Sequence, residues 1–350
     1  MRQSIKKEIF GYIGNHIIVE YTVYNGSGMS FSAINYGGAL TSIMAPDRDG
    51  NLENVILRFD NLRDYERPTN PFMGSIIGRY SNRISNAHFI LEGNQFLLSE
   101  NITGATLHGG AIGFDKVIWD ITPLPDNLGI MLRYTSQDGD QGFPGTLSCT
   151  IEYQLLEDNS LMINYHARTD KPTPVSLTSH PYFNLSGKKA DTILDHFLTI
   201  AATKYIEANK NLLPTGNISE VGNSSMNFIT PKKISRDFSL LDNGYDFSWV
   251  ILNTSLRSNY MNFAAELYDN LSGRCLIVYT SQPAIHFYSG NFLDGTFSSD
   301  NGARVIGKHA GLCLETQSFP DSPNHPSFPS CILYPESTYQ HSTIFQFITK

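Results

Sequence analysis

A carboxylate stands in the middle of an apolar, strand-like run, Leu312-Cys313-Leu314-Glu315-Thr316-Gln317. Side chains alternate faces along a strand, so Leu312 and Leu314 point one way and Cys313, Glu315 and Gln317 the other. If that second face is covered, desolvation penalises the ionised carboxylate, raises its pKa and makes it a stronger base near neutrality. If it faces solvent, Glu315 is an ordinary surface residue. Other side chains able to move or hold protons lie in similar settings. Ser179-His180-Pro181-Tyr182-Phe183 sets an imidazole beside aromatics, and an unperturbed histidine titrates near ~6.5, so it can give or take a proton. Leu107-His108-Gly109-Gly110 puts a second histidine before two glycines, which let a backbone approach a ligand closely. Gly78-Arg79-Tyr80-Ser81-Asn82-Arg83-Ile84 holds two arginines, one of which could act as a rigid donor fork. Gly244-Tyr245-Asp246-Phe247 offers an acid flanked by aromatics, and Ser281-Gln282-Pro283 an amide that both donates and accepts. Each also reads as ordinary structure: a loop histidine, a turn aspartate, surface arginines.

The elements that must position these groups are strands. Ile151–Leu155 and Leu161–Ala167 alternate apolar and polar residues about a turn at Asp158-Asn159. Phe89–Leu98 reads as a hairpin around Gly93-Asn94. Ala264–Tyr268 and Cys275–Tyr279 form another. Helical periodicity is nearly absent, apart from one turn at Asn61–Tyr65. Pro and Gly punctuate the whole chain without a concentrated linker, and no repeat stands out. The expectation is all-β: one large antiparallel β-sandwich over residues 1–350, with few short helices. In such a fold, polar residues at strand ends and in long loops gather over one sheet face and make a cleft.

Composition narrows the function classes. The 350 residues are 41% hydrophobic and 17% charged, an ordinary globular profile. A net charge of -8 without a Lys/Arg block argues against a nucleic-acid surface. Cys149, Cys275, Cys313 and Cys331 show no metal-binding spacing and read as free thiols of a reducing compartment. The N-terminus lacks an apolar signal region, and no apolar run approaches a membrane span. The expected location is cytoplasmic. Walker A, H-E-x-x-H and G-x-S-x-G motifs are missing.

Taken in order, the motifs resemble those of the galactose mutarotase (aldose 1-epimerase) family. They run from Asn35-Tyr36-Gly37-Gly38 through Pro46-Asp47-Arg48-Asp49-Gly50, Gly78-Arg79-Tyr80, Asn82-Arg83-Ile84, Leu107-His108-Gly109-Gly110 and Gly113-Phe114-Asp115-Lys116. They continue through Gly142-Phe143-Pro144-Gly145, His180-Pro181-Tyr182-Phe183-Asn184-Leu185, Leu213-Pro214-Thr215-Gly216 and Gly244-Tyr245-Asp246. Gln282-Pro283, Phe287–Phe292, Leu314-Glu315-Thr316-Gln317, Pro320-Asp321 and Asn324-His325-Pro326 close the series.

The resemblance implies a galactose mutarotase-type β-sandwich that binds a free monosaccharide in an open cleft, as monomer or homodimer. It implies Glu315 as general base, His180 as general acid, and Asn82, Arg83, His108, Asp246 and Gln282 as substrate-binding residues. It also implies no metal and no cofactor, because anomer interconversion needs only proton transfers around a ring opening. A bell-shaped pH profile follows, with its low limb expected from Glu315 and its high limb from His180. Three departures stand out: Phe247 where the family often has His after the Asp, Pro181 where Ser or Thr is usual, and Asn227 where Asp is usual before Phe228. The alternatives are a non-catalytic sugar-binding protein on the same fold, an epimerase of hexose 6-phosphates, and a glycosidase using Asp246 and Glu315.

Overall fold

The alternation at 151–167 builds the centre of the molecule's largest sheet. The computed structural model describes residues 4–125, 128–252 and 261–350. Leu147–Leu155 and Ser160–Thr169 pair antiparallel, with Leu155 opposite Leu161. Asn159 turns the chain at a φ of 61°, a left-handed conformation that asparagine tolerates. Tyr339–Thr349 then bridges Ser160–Thr169 to Arg274–Thr280. Arg274–Thr280 pairs with Asn262–Tyr268 in the expected hairpin. Asp120–Pro123 and Gly129–Ser136 extend the sheet at one end, and Phe197–Ile200 and Lys232–Lys233 at the other.

Two further sheets complete the sandwich. Ser4–Ile13, His16–Tyr24, Ser30–Ile34, Leu40–Pro46 and Leu52–Asn54 form an N-terminal meander. Pro214–Glu220, Lys204–Ala208, Asp246–Val250, Ala284–Tyr288 and Cys313–Gln317 form the other, again antiparallel. One buried apolar cluster joins all three: Phe31 and Ile43 from the meander, Ile151, Tyr165 and Phe345 from the large sheet, and Trp249, Ile285, Phe287 and Leu314 from the third. Burying each such side chain is worth ~1.5–3 kcal/mol, so the core fixes which face of the third sheet is left for chemistry.

The short helix and the hairpin are present, though the hairpin turns one residue earlier than Gly93-Asn94, with Asn94 already paired to Leu91. Leu62–Glu66 is a short helix capped by Asn61, whose side chain accepts from the Asp64 N–H. His88–Leu91 and Asn94–Leu97 form a hairpin through Glu92 and Gly93, both at positive φ, as a two-residue primed turn requires. All four cysteines are free and buried.

Candidate active site

One wall of the site is the face of the third sheet turned away from the core. Cross-strand register puts Ser248 opposite His286 and His286 opposite Glu315, while Asp246 faces Tyr288 and Tyr288 faces Cys313. Side chains directly opposite on one face stand ~4.5–5.5 Å apart at Cβ, so these six residues form two adjoining rows. The intervening Phe247, Trp249, Ile285, Phe287 and Leu314 belong to the core side. Alternation alone therefore lifts Glu315 and Asp246 out of the apolar packing.

The opposite wall comes from shorter pieces. Thr178–Ser179 pairs with Ile76–Ile77 and delivers His180. Arg83–Ser85 pairs with Ala105–Leu107, Leu107 opposite Arg83, and so brings Asn82, Arg83 and His108 together. Asn82 and His108 have φ of 64° and 53°. They lock each other: the Asn82 N–H donates to His108 Nδ1 at 3.1 Å, and the His108 N–H to the Asn82 carbonyl at 3.0 Å. Gly109 is required here, since a Cβ would lie 1.9 Å from the Gly78 carbonyl oxygen. The close approach this glycine permits is to the chain's own backbone. The two walls enclose a cleft of about 620 Å³, lined by Phe72, Asn82, Arg83, His108, His180, Tyr182, Asp246, His286, Tyr288, Phe292 and Glu315 among others.

Glu315 and His180 meet at its base. His180 Nε2 lies 3.6 Å from Glu315 Oε1, and both side chains are buried. Glu315 Oε2 has no partner among the described residues. Burial, reinforced by the charge of Asp246, pushes the Glu315 pKa well above the usual carboxylate range. Burial also pushes His180 down to about 3. Burial thus disfavours the charged form of both partners, the carboxylate of Glu315 and the imidazolium of His180. Edge-on contacts with His108 at 5.3 Å and tilted packing against Tyr182 at 5.0 Å hold the His180 ring, with Cys313 Sγ 3.4 Å from its Nδ1.

This cleft, with a buried carboxyl beside an imidazole at its base, lies on a β-sandwich whose sequence and fold have known relatives. The profile of the Aldose 1-epimerase family matches residues 19–346. The chain belongs to the aldose 1-epimerase family. It is 38% identical to galactose mutarotase from Mus musculus over 349 residues, 98% of each chain. It is 36% identical to aldose 1-epimerase from Escherichia coli K12 over 336 residues, 94% of this chain and 95% of that one. The crystal structure of galactose 1-epimerase from Lactobacillus acidophilus NCFM superimposes with a TM-score of 0.86 at 27% identity, covering 99% of both chains. The enzyme is accordingly an isomerase with the galactose mutarotase fold.

Within this epimerase, Asn82, Arg83, His108 and Asp246 all line the cleft with the pair. Arg83 Nη2 donates to Asp246 Oδ2 at 3.1 Å, and Arg83 Nε is buried without a partner among the described residues. His286 Nε2 lies 2.8 Å from Asp246 Oδ1. Although burial acts against its charge, Arg83 and His286 hold the Asp246 carboxyl well below the usual range, so it stays ionised. Gln282 is different. It is fully buried, donates to the Tyr339 hydroxyl at 2.8 Å, and is not among the cleft-lining residues. The two arginines of the 78–84 segment part company: Arg79 is buried in backbone carbonyls, and only Arg83 reaches the cleft.

The family departures fall mostly outside the chemistry. Phe247 turns to the core side and meets Tyr205 edge-on at 6.4 Å. Asn227 caps a turn, its side chain bonded to the Gly222 carbonyl and the Ile229 N–H. Residues the sequence reading passed over are His286, Phe72 and the exposed Phe292, which stacks on Tyr288 at 6.0 Å. The signal for His286 was present in Ala284–Tyr288. Two-residue alternation separates His286 from Ile285 and Phe287, just as it separates Glu315 from Leu314.

His108, His180 and Glu315 also bring their ligating atoms within 4.8 Å of one another. The donor set does not fit a resident cation. Because His108 Nδ1 accepts the Asn82 N–H and burial keeps the ring neutral, its proton must sit on Nε2, which leaves no lone pair to offer.

The buried histidines make an acid-stability prediction. Burial lowers His108 and His180, and takes His196 and His341 to about 4. The unfolded chain binds these protons first as pH falls below ~6.5, so stability is lost from there downward, by at most about 1.4 kcal/mol per pH unit for each group. Glu315, raised, and Asp115, raised to about 6, act oppositely and stabilise as pH falls. Four groups outweigh two, so the urea midpoint is expected to be lower at pH 5 than at pH 7. An unchanged or higher midpoint at pH 5 contradicts the neutral burial of these rings.

Proposed function

We propose that this epimerase interconverts the α and β anomers of free hexoses such as galactose and glucose, with residues 1–350 acting as a single domain. The observation that carries the reading is the buried carboxyl of Glu315 set 3.6 Å from the His180 imidazole at the base of a cleft in which Glu315 Oε2 and Arg83 Nε have no partner among the described residues. Those are an acceptor and a donor held ready for ligand hydroxyls. Glu315 takes the C1 hydroxyl proton, the C1–O5 bond breaks with its electrons going to O5, and His180 protonates O5. The open aldehyde rotates about C1–C2 and recloses on its other face as both transfers reverse. The reacting form leaves Glu315 ionised and carries the proton on His180, against the direction in which burial acts on each group. Each positioned group contributes ~10²–10⁴-fold. Asn82, Arg83, His108 and Asp246 supply orientation.

A non-catalytic sugar binder would need no such matched pair. A hexose 6-phosphate would need cationic donors to spare, whereas Arg83 is neutralised by Asp246 and Lys116 is tied to the Ala111 carbonyl and lies 3.8 Å from Asp115. Four buried thiols suit a reducing, cytoplasmic location. The test is polarimetry on freshly dissolved α-glucose, α-galactose and glucose 6-phosphate. Acceleration with the free hexoses and little with the phosphate is expected. No acceleration on any fresh aldose, with sugar binding retained, would favour the binding protein instead.

A further inference from the structure

His286 lines the cleft, makes three side-chain hydrogen bonds and has no role in the proton transfers. Its ring stands between Ser248 and Glu315 in the cross-strand row and is buried. Nε2 lies 2.8 Å from Asp246 Oδ1, while Nδ1 lies 2.8 Å from Ser248 Oγ and 3.4 Å from Asn82 Nδ2.

These contacts determine its proton arrangement. Asp246 is ionised and can only accept, so Nε2 carries the hydrogen. Asn82 Oδ1 accepts from the Arg83 N–H at 2.9 Å and from Arg83 Nη1 at 3.4 Å, which leaves Asn82 Nδ2 as a donor facing His286. Nδ1 faces Ser248 Oγ and the Asn82 amide, so the ring is held from both ends.

That ring ties together the groups on its side of the cleft. Asp246 receives one donor on each oxygen, Arg83 from one wall and His286 from the other, so its carboxylate plane cannot turn. The same ring holds the Asn82 amide, whose oxygen in turn seats Arg83. A site whose buried polar groups are held in one orientation rejects a sugar that presents its hydroxyls differently, because those groups are then left unpaired.

Resting on the free-hexose reading above, we infer that His286 is a positioning residue that sets hexose selectivity. It locks Asp246 and Asn82 so that the cleft reads the arrangement of neighbouring hydroxyls, and it does so as a hydrogen-bond donor to Asp246 and takes no part in acid–base transfer.

The experiment compares His286→Phe and His286→Gln with the wild type. Galactose and glucose are assayed by polarimetry, and their binding by calorimetry. Phenylalanine keeps the ring without the donor, whereas glutamine restores an N–H within reach of Asp246. His286→Phe is expected to raise KM and Kd for the preferred hexose about tenfold or more, the loss of one hydrogen bond to a charged group. It should leave kcat within threefold and compress the galactose-to-glucose preference. His286→Gln should recover most of the affinity and the preference. The inference is overturned if His286→Phe leaves KM, Kd and preference unchanged, if kcat falls while KM does not, or if glutamine is as poor as phenylalanine. Calorimetry reads the same comparison even if the wild type binds hexose without turning it over, an outcome that would remove the catalytic reading and leave this one standing.

Discussion

Glu315→Gln is expected to lower kcat for mutarotation by ~10²–10⁴-fold, the contribution of one positioned proton-transfer group, while the protein stays at least as stable as the wild type. Glutamine has the same shape and leaves the main-chain pairing of Cys313–Gln317 with Ala284–Tyr288 untouched. Few interactions are lost, because Glu315 Oε2 has no partner among the described residues and Oε1 stands 3.6 Å from His180. What is removed is a carboxyl whose ionised form burial opposes. Polarimetry with the spontaneous rate subtracted, beside a urea titration, checks both halves. A variant that keeps more than a tenth of the wild-type kcat removes Glu315 from the role of base.

The same pair dictates an unusual pH profile. Sequence reasoning assigns the acid limb to the carboxylate and the alkaline limb to the imidazole. Burial reverses that order, with His180 pushed down to about 3 and Glu315 raised well above its usual range. The acid limb is then expected from protonation of His180 and the alkaline limb from ionisation of Glu315. Activity should therefore persist from pH 7 down to pH 5, where a free imidazole would already have titrated. A fall in kcat/KM centred near pH 6.5 would show that His180 is not buried as a neutral ring.

The site was legible in the sequence to the extent that local pattern decides placement. Glu315 in an apolar strand and Asp246 after Gly244-Tyr245 both obey two-residue alternation, and the register sets them on one face. Three features depended on long-range contacts that no local window contains. His286 acquires meaning only when Asp246 arrives from a strand 40 positions away. Gln282, an amide expected at the sugar, is drawn to Tyr339, 57 positions on. The reversed pKa order comes from the depth of burial, which alternation marks as covered or open without saying how deeply. The fold was more legible than the site, because the hairpins at 88–97, 147–169 and 262–280 are local objects.

Arg79 and Arg83 share one short motif, yet their loss should have opposite consequences. Arg79 donates through Nε to Ser136 Oγ at 2.8 Å, through Nη1 to the carbonyls of Pro144 and Gly145 at 3.0 and 2.7 Å, and through Nη2 to those of Ser136 and Gln137 at 3.0 and 2.6 Å. It knits the 136–145 loop to the strand region behind His180, and its charge is offset by Asp140 and Asp138. Arg79→Met fills similar space but strips five acceptors of their donor in a buried setting. Breaking so complete a buried charged network costs about 3–5 kcal/mol, a large share of the ~5–15 kcal/mol that holds a typical protein folded. The urea midpoint should fall steeply, while the molecules that remain folded keep KM within about threefold, because no atom of Arg79 reaches the cleft. Arg83→Met should do the reverse. It frees Asp246 Oδ2 and removes the Nε donor, but water entering the cleft can solvate the carboxylate. KM is expected to rise ~10–100-fold, the worth of one to two charge-assisted hydrogen bonds, with a smaller loss of stability. An Arg79→Met protein with a wild-type midpoint, or an Arg83→Met protein with a wild-type KM, would show that the division of labour drawn between these two side chains is wrong.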